Sequence, residues 1–165
     1  MNTAAAKGGT PATTALAKAG IAFQRHEYAF APTADGIGRQ AAAALSIAPE
    51  RLLKTLIVER DDGTLAMALL AVDRQLDLKA AARALATKRL AMAAIPKAER
   101  ATGYVKGGIS PFGQKRRLDA VVDAHATHFA QVLVNGGRRG LQLELAPENL
   151  VQALAATIAP IGLPG

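Results

Sequence analysis

"KTLIVERDDGTLAMALLAV", residues 54–72, sets two apolar-rich runs on either side of Asp61-Asp62-Gly63. Aspartate and glycine suit tight hairpin turns, so the segment reads as two antiparallel strands, 54–60 and 64–72. A hairpin at the centre of a chain argues against regular strand–helix–strand alternation.

The flanks agree. Thr10-Pro11 starts a short helix that Gly20 stops, with Leu16 on its buried side. "IAFQRHEY" (21–28) alternates like a strand, and a second helix is expected over 39–45. Asp77 caps the alanine-rich helix "LKAAARAL", whose Leu78, Ala81, Ala82 and Leu85 share a side. Strand-like runs follow at 120–124, 130–137 and 141–146. Pro147 opens a last helix, in which Leu150, Val151, Leu154 and Ile158 are spaced for one buried stripe. Hairpins and helices without βαβ periodicity predict an α+β domain with a mixed, largely antiparallel sheet. Residues 1–10, rich in small side chains, read as a mobile leader, and 11–165 as the domain.

With 165 residues the chain suits one domain, and no apolar run reaches the ~18 residues of a membrane span. The amino-terminal stretch lacks the apolar core of a secretory signal, so the expected location is the cytoplasm. With no cysteine there is no disulfide, no protein thiolate and no cysteine-based zinc site. Charge is unevenly placed. Residues 79–117 hold ten Lys or Arg against the single acid Glu99, whereas the whole chain is only +7. Such a segment favours a polyanionic partner, although a solvated basic face is the plain alternative.

The basic segment ends in "TGYVKGGISPFGQKRRL" (102–118), with four glycines, an exposed-looking Tyr104 and the run Lys115-Arg116-Arg117. It is not a nucleotide-binding P-loop. Its lysine comes one residue late, no Ser or Thr follows, and Pro111 removes an amide. Ser110 is no nucleophile elbow, because Phe112 stands where that motif needs glycine. His125 and His128 could share a helical face, but no third metal ligand accompanies them, and His26 stands apart. No metal and no cofactor are expected. Lys54 shares a face with Leu56 and Val58 by the period of two, while Thr55 points the other way. A lysine there either snorkels out at the strand end or projects its charge into a pocket.

Taken together, "LLKTLIV", "QLDLKAAARAL", "TGYVKGGISPFGQKRRL" and "GGRRGLQLELAPENL" resemble the YbaK/EbsC-type aminoacyl-tRNA deacylases, freestanding relatives of the editing domain of bacterial prolyl-tRNA synthetases. The resemblance runs collinearly from about Pro11 to Ile158. It implies a barrel-like mixed sheet surrounded by helices, and removal of wrongly attached amino acids, chiefly cysteine, from tRNA(Pro). It further implies that the thiol of the bound cysteine attacks its own ester and leaves as a thiolactone. Alternatives are a water-dependent deacylase for another small amino acid such as alanine, and a non-catalytic tRNA- or synthetase-binding module.

By motif, the resemblance makes Lys54 the essential lysine and Thr55 its neighbour in the pocket, and places Tyr28 as an aromatic lining the same cavity. The Gly107 and Gly108 amides face the ester, and Ser110, Asn135 and Gln142 complete the substrate-binding set. Asn135 stands where serine is frequent, and Gln142 where aspartate occurs. Ala71 and Asp73 break a proline-containing bend before "LDLK". The tRNA acceptor end would meet Lys106, Lys115, Arg116, Arg117, Arg138 and Arg139. Prolyl-tRNA synthetase is the candidate protein partner.

Overall fold

A computed structural model of the chain describes residues 8–31 and 36–165. The 54–72 segment forms the expected hairpin, with β2 at Leu53–Arg60 and β3 at Leu65–Ala71 in antiparallel register, Lys54 opposite Leu70 and Ile57 opposite Met67. Its turn is built as the composition predicts. The Asp62 carboxylate accepts from the Thr64 amide at 2.9 Å, and Gly63 takes the positive φ of +85° that a side chain would resist.

In chain order the remaining elements are α1 (Pro11–Lys18), β1 (Gln24–Glu27), α2 (Ile37–Leu45), β4 (Arg74–Leu76), α3 (Leu78–Ala84), β5 (Leu90–Met92) and α4 (Ile95–Thr102). After them come β6 (Asp119–Asp123), β7 (Val132–Asn135), β8 (Leu141–Leu145), α5 (Pro147–Leu154), β9 (Thr157–Ala159) and β10 (Gly162–Pro164). A five-stranded sheet has the order β5-β2-β3-β6-β9, antiparallel through β3 and parallel beyond it. A smaller antiparallel sheet, β1-β8-β7, meets it through a bridge between Leu52 and Leu133. A third pairing joins β10 to β4. The architecture is the mixed, largely antiparallel α+β arrangement that the sequence predicts.

Every residue of β3 is buried, which explains its unbroken apolar run: it lies between β2 and β6 with both faces covered. On one face Leu53, Ile57, Met67 and Leu69 pack with Leu16 of α1, Leu150 of α5 and Val134 and Leu143 of the small sheet. On the other, Val58, Ala66 and Ala68 pack with Ala80, Ala81 and Leu85 around α3, and with Ile161. Thr10 and Asp77 cap α1 and α3 as expected, through bonds to the Thr13 and Ala80 amides.

Four expectations change. The leader does not extend to residue 10: residues 1–7 lie outside the described residues, but Thr10 is buried and its hydroxyl also donates to the Gly136 carbonyl at 2.5 Å. The strand expected over 21–28 is ordered as such only over Gln24–Glu27. The last helix stops at Leu154, because Ala155 turns to φ +49°, so Ile158 leaves the helical stripe for β9, where it is 48% exposed. Tyr104 is buried rather than exposed, its hydroxyl donating to the Phe112 carbonyl at 2.5 Å.

Candidate active site

A cavity of about 280 Å³ opens where β2 loses its neighbour. The short β5 pairs only with residues 58–60 of β2, and the Ala93 amide adds one bond to the Ile57 carbonyl before the chain turns into α4. From residue 57 back to 54 β5 does not continue the ladder, and the next strand contact on β2 is the Leu52–Leu133 bridge at its start. Peptide groups alternate sides along an antiparallel ladder, so that of Thr55 faces the same open side as Ile57. An open edge also lets side chains from both faces reach one space, and Leu53, Lys54, Thr55, Leu56 and Ile57 all line the cavity.

Lys54 is half-buried. Its amine donates to the Arg74 carbonyl at 2.5 Å, at the start of β4. Burial holds its pKa below the usual lysine value, Arg39 pushes in the same direction, and Asp73 offsets part of the effect. Lys54 thus lines the cavity, while its amine is tied to Arg74 in an adjoining concavity that Asp73 also lines. Thr55 points to the opposite face, as expected, with its hydroxyl buried and unpartnered among the described residues.

The small sheet supplies the polar floor. Asn135 and Gln142 are cross-strand partners of β7 and β8 and both line the cavity. Asn135 is committed: its side-chain nitrogen donates to the Gly107 and Arg138 carbonyls at 3.2 and 3.3 Å, and its oxygen accepts from the Gly137 amide at 2.7 Å. Asn135 thereby ties the two glycine loops together. Gln142 is only 4% exposed, yet its oxygen has no partner among the described residues. A buried amide oxygen without a donor is costly, and a substrate N–H would satisfy it.

The glycine loop serves a different purpose from the one its composition suggests. A Cβ on Gly108 would lie 3.0–3.1 Å from the backbone of Arg138 and Arg139, so the missing side chain permits loop-on-loop packing. The Gly108 amide is already bonded to the Val105 carbonyl at 2.8 Å, so it does not face a ligand. Gly107 lines the cavity and has φ +85°, and no described residue accepts from its amide.

Two members of the expected substrate set lie elsewhere. Ser110 is fully buried, and its hydroxyl accepts from the Phe112 amide at 3.2 Å, which fixes the loop and leaves it off the cavity wall. Tyr28 packs with Ala41, Ala42, Leu52 and Leu133, its hydroxyl buried and unpartnered among the described residues. Leu52 lines the cavity and Tyr28 does not.

Residues 31–153 match the aminoacyl-tRNA editing domain. The chain belongs to the aminoacyl-tRNA editing family. A relative from Enterococcus faecalis, named as the Cys-tRNA(Pro)/Cys-tRNA(Cys) deacylase EbsC, is 32% identical over 136 residues, covering 82% of this chain and 83% of its own. Among solved structures, that of the hypothetical protein APE2540 is similar at a TM-score of 0.80 and 25% identity, covering 90% of this chain and 96% of that one. A structure described as a trans-editing enzyme for prolyl-tRNA synthetase shares the fold, with a TM-score of 0.75 at 23% identity over 86% and 87% of the two chains. The family assigns aminoacyl-tRNA as substrate and deacylation as the reaction, and the cavity around Lys54 is its candidate site in this editing domain.

The candidate RNA-facing cations divide into two groups. Lys106 lines the cavity, and its carbonyl accepts two bonds from the Arg139 guanidinium, at 2.8 and 3.0 Å. Arg139 also lies over the Phe30 ring, and Arg138 pairs with Glu27 at 3.1 Å. Lys115, Arg116 and Arg117 are exposed, but Arg116 and Arg117 line a separate cleft with α1 and α5 that shares no residue with the cavity.

The sequence reading missed the apolar wall: Ile37 from α2, Met92 at the end of β5, and Ile95, Ala98 and Ile109 around α4. Its one sequence signal is "MAAIP" (92–96), an apolar interruption in the basic segment, where Met92 and Ile95 remain 50% and 46% exposed at the mouth. Among the described residues no group of His, Cys, Asp and Glu is placed to hold a metal ion, and no helix is long and apolar enough to cross a membrane.

Proposed function

We propose that this editing enzyme deacylates tRNA(Pro) mischarged with cysteine, acting in trans to prolyl-tRNA synthetase, and that the cysteine thiol is the nucleophile. The observation that carries the reading is the chemistry of the lining. Among the described residues the cavity wall has no carboxylate, histidine, serine or cysteine, and its one hydroxyl, Thr55, has no base beside it. A cavity that holds no activated nucleophile suits a substrate that carries its own.

In the reaction the substrate Sγ gives up its proton and bonds to its own ester carbon. The bond from that carbon to the ribose oxygen breaks, and that oxygen takes up a proton. The products are uncharged tRNA and a four-membered thiolactone, which water opens to cysteine. Lys54, held by the Arg74 carbonyl, favours the thiolate and the developing oxyanion electrostatically. The Thr55 amide at the open β2 edge and the Gly107 amide provide donors for the same oxyanion, and the Gln142 oxygen receives the substrate ammonium. Confinement can supply several kcal/mol by holding sulfur and carbonyl together. Editing is needed because cysteine and proline are close in size, and a small apolar pocket separates such pairs by only ~1–3 kcal/mol.

Single-turnover deacylation of tRNA(Pro) charged with Cys, Ser or Ala tests this reading. Cysteine should be removed much faster than the other two. A preference for alanine would make the enzyme a water-dependent deacylase with a size-selecting pocket.

A further inference from the structure

Away from the cavity, α3 and the entry to β5 form a cleft of about 380 Å³ lined by Lys79, Arg83, Lys88 and Arg89 together with Leu78, Ala82, Thr87 and Leu90. All four cations are exposed. Elsewhere the ion pairs engage Arg25, His26, Arg51, Arg60, Lys97 and Arg138, but none of these four side chains has a charged or hydrogen-bonding partner among the described residues. Lys79 and Arg83 stand four residues apart on α3 and so share a helix face. Lys88 and Arg89 reach the same cleft from the turn after it. Asp61 touches the margin, where it accepts the Thr87 hydroxyl at 2.9 Å.

Four like charges held around one concavity repel one another, and the arrangement is relieved when a polyanion fills it. The position of the cleft says which one. Leu90 lines the cleft and Met92 lines the catalytic cavity, so the two sites are joined by one three-residue strand. Two residues of strand span only about 7 Å. A chain whose acyl end occupies the cavity therefore has the cleft within reach of its first nucleotide or two.

We infer that the α3–β5 cleft binds backbone phosphates of the substrate tRNA next to its acylated end, and that this patch, rather than Lys115-Arg116-Arg117, supplies the principal electrostatic grip. The inference rests on aminoacyl-tRNA as substrate, and adds where the RNA runs. Phosphate contacts of this kind position without reading sequence.

The test compares the full-length chain with K79A/R83A and K88A/R89A, and with K115A/R116A/R117A as the contrast. Affinity for mischarged tRNA is measured across a fourfold range of salt, beside deacylation of cysteinyl-adenosine, which has no phosphate. Each lost contact should lower the log–log salt slope by ~0.7–0.9. Each cleft double variant should therefore lose about tenfold of the wild-type salt sensitivity, bind tRNA more weakly, and deacylate cysteinyl-adenosine at the wild-type rate. The charge-conserving K88R/R89K variant should keep the slope, and unchanged thermal midpoints would exclude misfolding. Wild-type affinity and slope in both cleft variants would overturn the inference, as would a larger loss in the 115–117 triple variant. Unchanged tRNA binding with lost synthetase association would make the cleft a protein-docking surface instead. Failure of the wild-type chain to deacylate any aminoacyl-tRNA would instead refute the functional reading.

Discussion

Replacing Gly108 by alanine tests how the two glycine loops build the cavity wall. The new Cβ would lie 3.0 Å from Arg138 Cα, 3.1 Å from its carbonyl carbon and 3.1 Å from the Arg139 nitrogen. These are backbone atoms, so no side chain can swing aside, and ordinary contact needs the loops to part by several tenths of an ångström. Overpacking of this kind costs about 1–3 kcal/mol. In a chain of this length that corresponds to a fall in thermal midpoint of about 2–10 °C. The larger effect should be on rate. Gly107 and Lys106 line the cavity, and Asn135 bonds to the Gly107 carbonyl, so parting the loops moves one wall of the site. Misplacement on the scale of an ångström can cost about a hundredfold, and a smaller shift should cost about tenfold in single-turnover deacylation. Gly63→Ala is the control. It imposes backbone strain at φ +85° in open space at the far hairpin turn, so it should lower stability without changing the rate of the folded enzyme. A G108A enzyme with wild-type stability and rate would refute the argument.

Lys54→Ala should abolish deacylation while leaving the fold intact, because the amine bonds outward to the Arg74 carbonyl rather than packing in a core; near-normal single-turnover activity would contradict the assignment. Its titration gives a separate signature. Since the folded value lies below 10.5, in the window beneath 10.5 the unfolded chain binds more protons. Stability carried by this group therefore rises with pH across that window and is lost as pH falls through the folded value. Urea titrations should show that rise in the wild type and not in K54M. Tyr104→Phe removes the donor to the buried Phe112 carbonyl and should cost about 1–3 kcal/mol, read as a lower denaturation midpoint.

The hairpin and both side-chain caps were legible because their causes are local: alternation, Asp-Asp-Gly, and an oxygen placed before a helix. Lys54 stood out for a similar reason, as a charge on an apolar strand face. What sequence could not carry was the pairing of distant segments. The cavity exists because β5 is too short to cover β2, and a three-residue strand has no alternation to read. The burial of Tyr104 depends on a bond across its own loop, and Ser110 is withdrawn by the turn to Phe112. The glycine loop was read as turning its amides to the ester, whereas Gly108 is glycine because the 138–139 backbone lies against it. Charge counting found the basic segment without seeing that α4 and the following loop place its parts on separate clefts.

The central claim is that the substrate's own sulfur does the attacking. A free thiol has a pKa of about 8.5, so roughly a few per cent is thiolate at neutral pH, and thiolates are strong nucleophiles. Methylating that sulfur removes the nucleophile and adds one methyl group, which a small pocket can penalise by about 10–200-fold, so only a larger loss counts as loss of the nucleophile. The decisive measurement is single-turnover deacylation of tRNA(Pro) carrying cysteine beside the same tRNA carrying S-methylcysteine, with the first product trapped before water opens it. The account predicts near-complete loss of the reaction with S-methylcysteine, and a thiolactone as the first product from cysteine. Comparable rates for the two substrates, with free amino acid released directly from both, would contradict it.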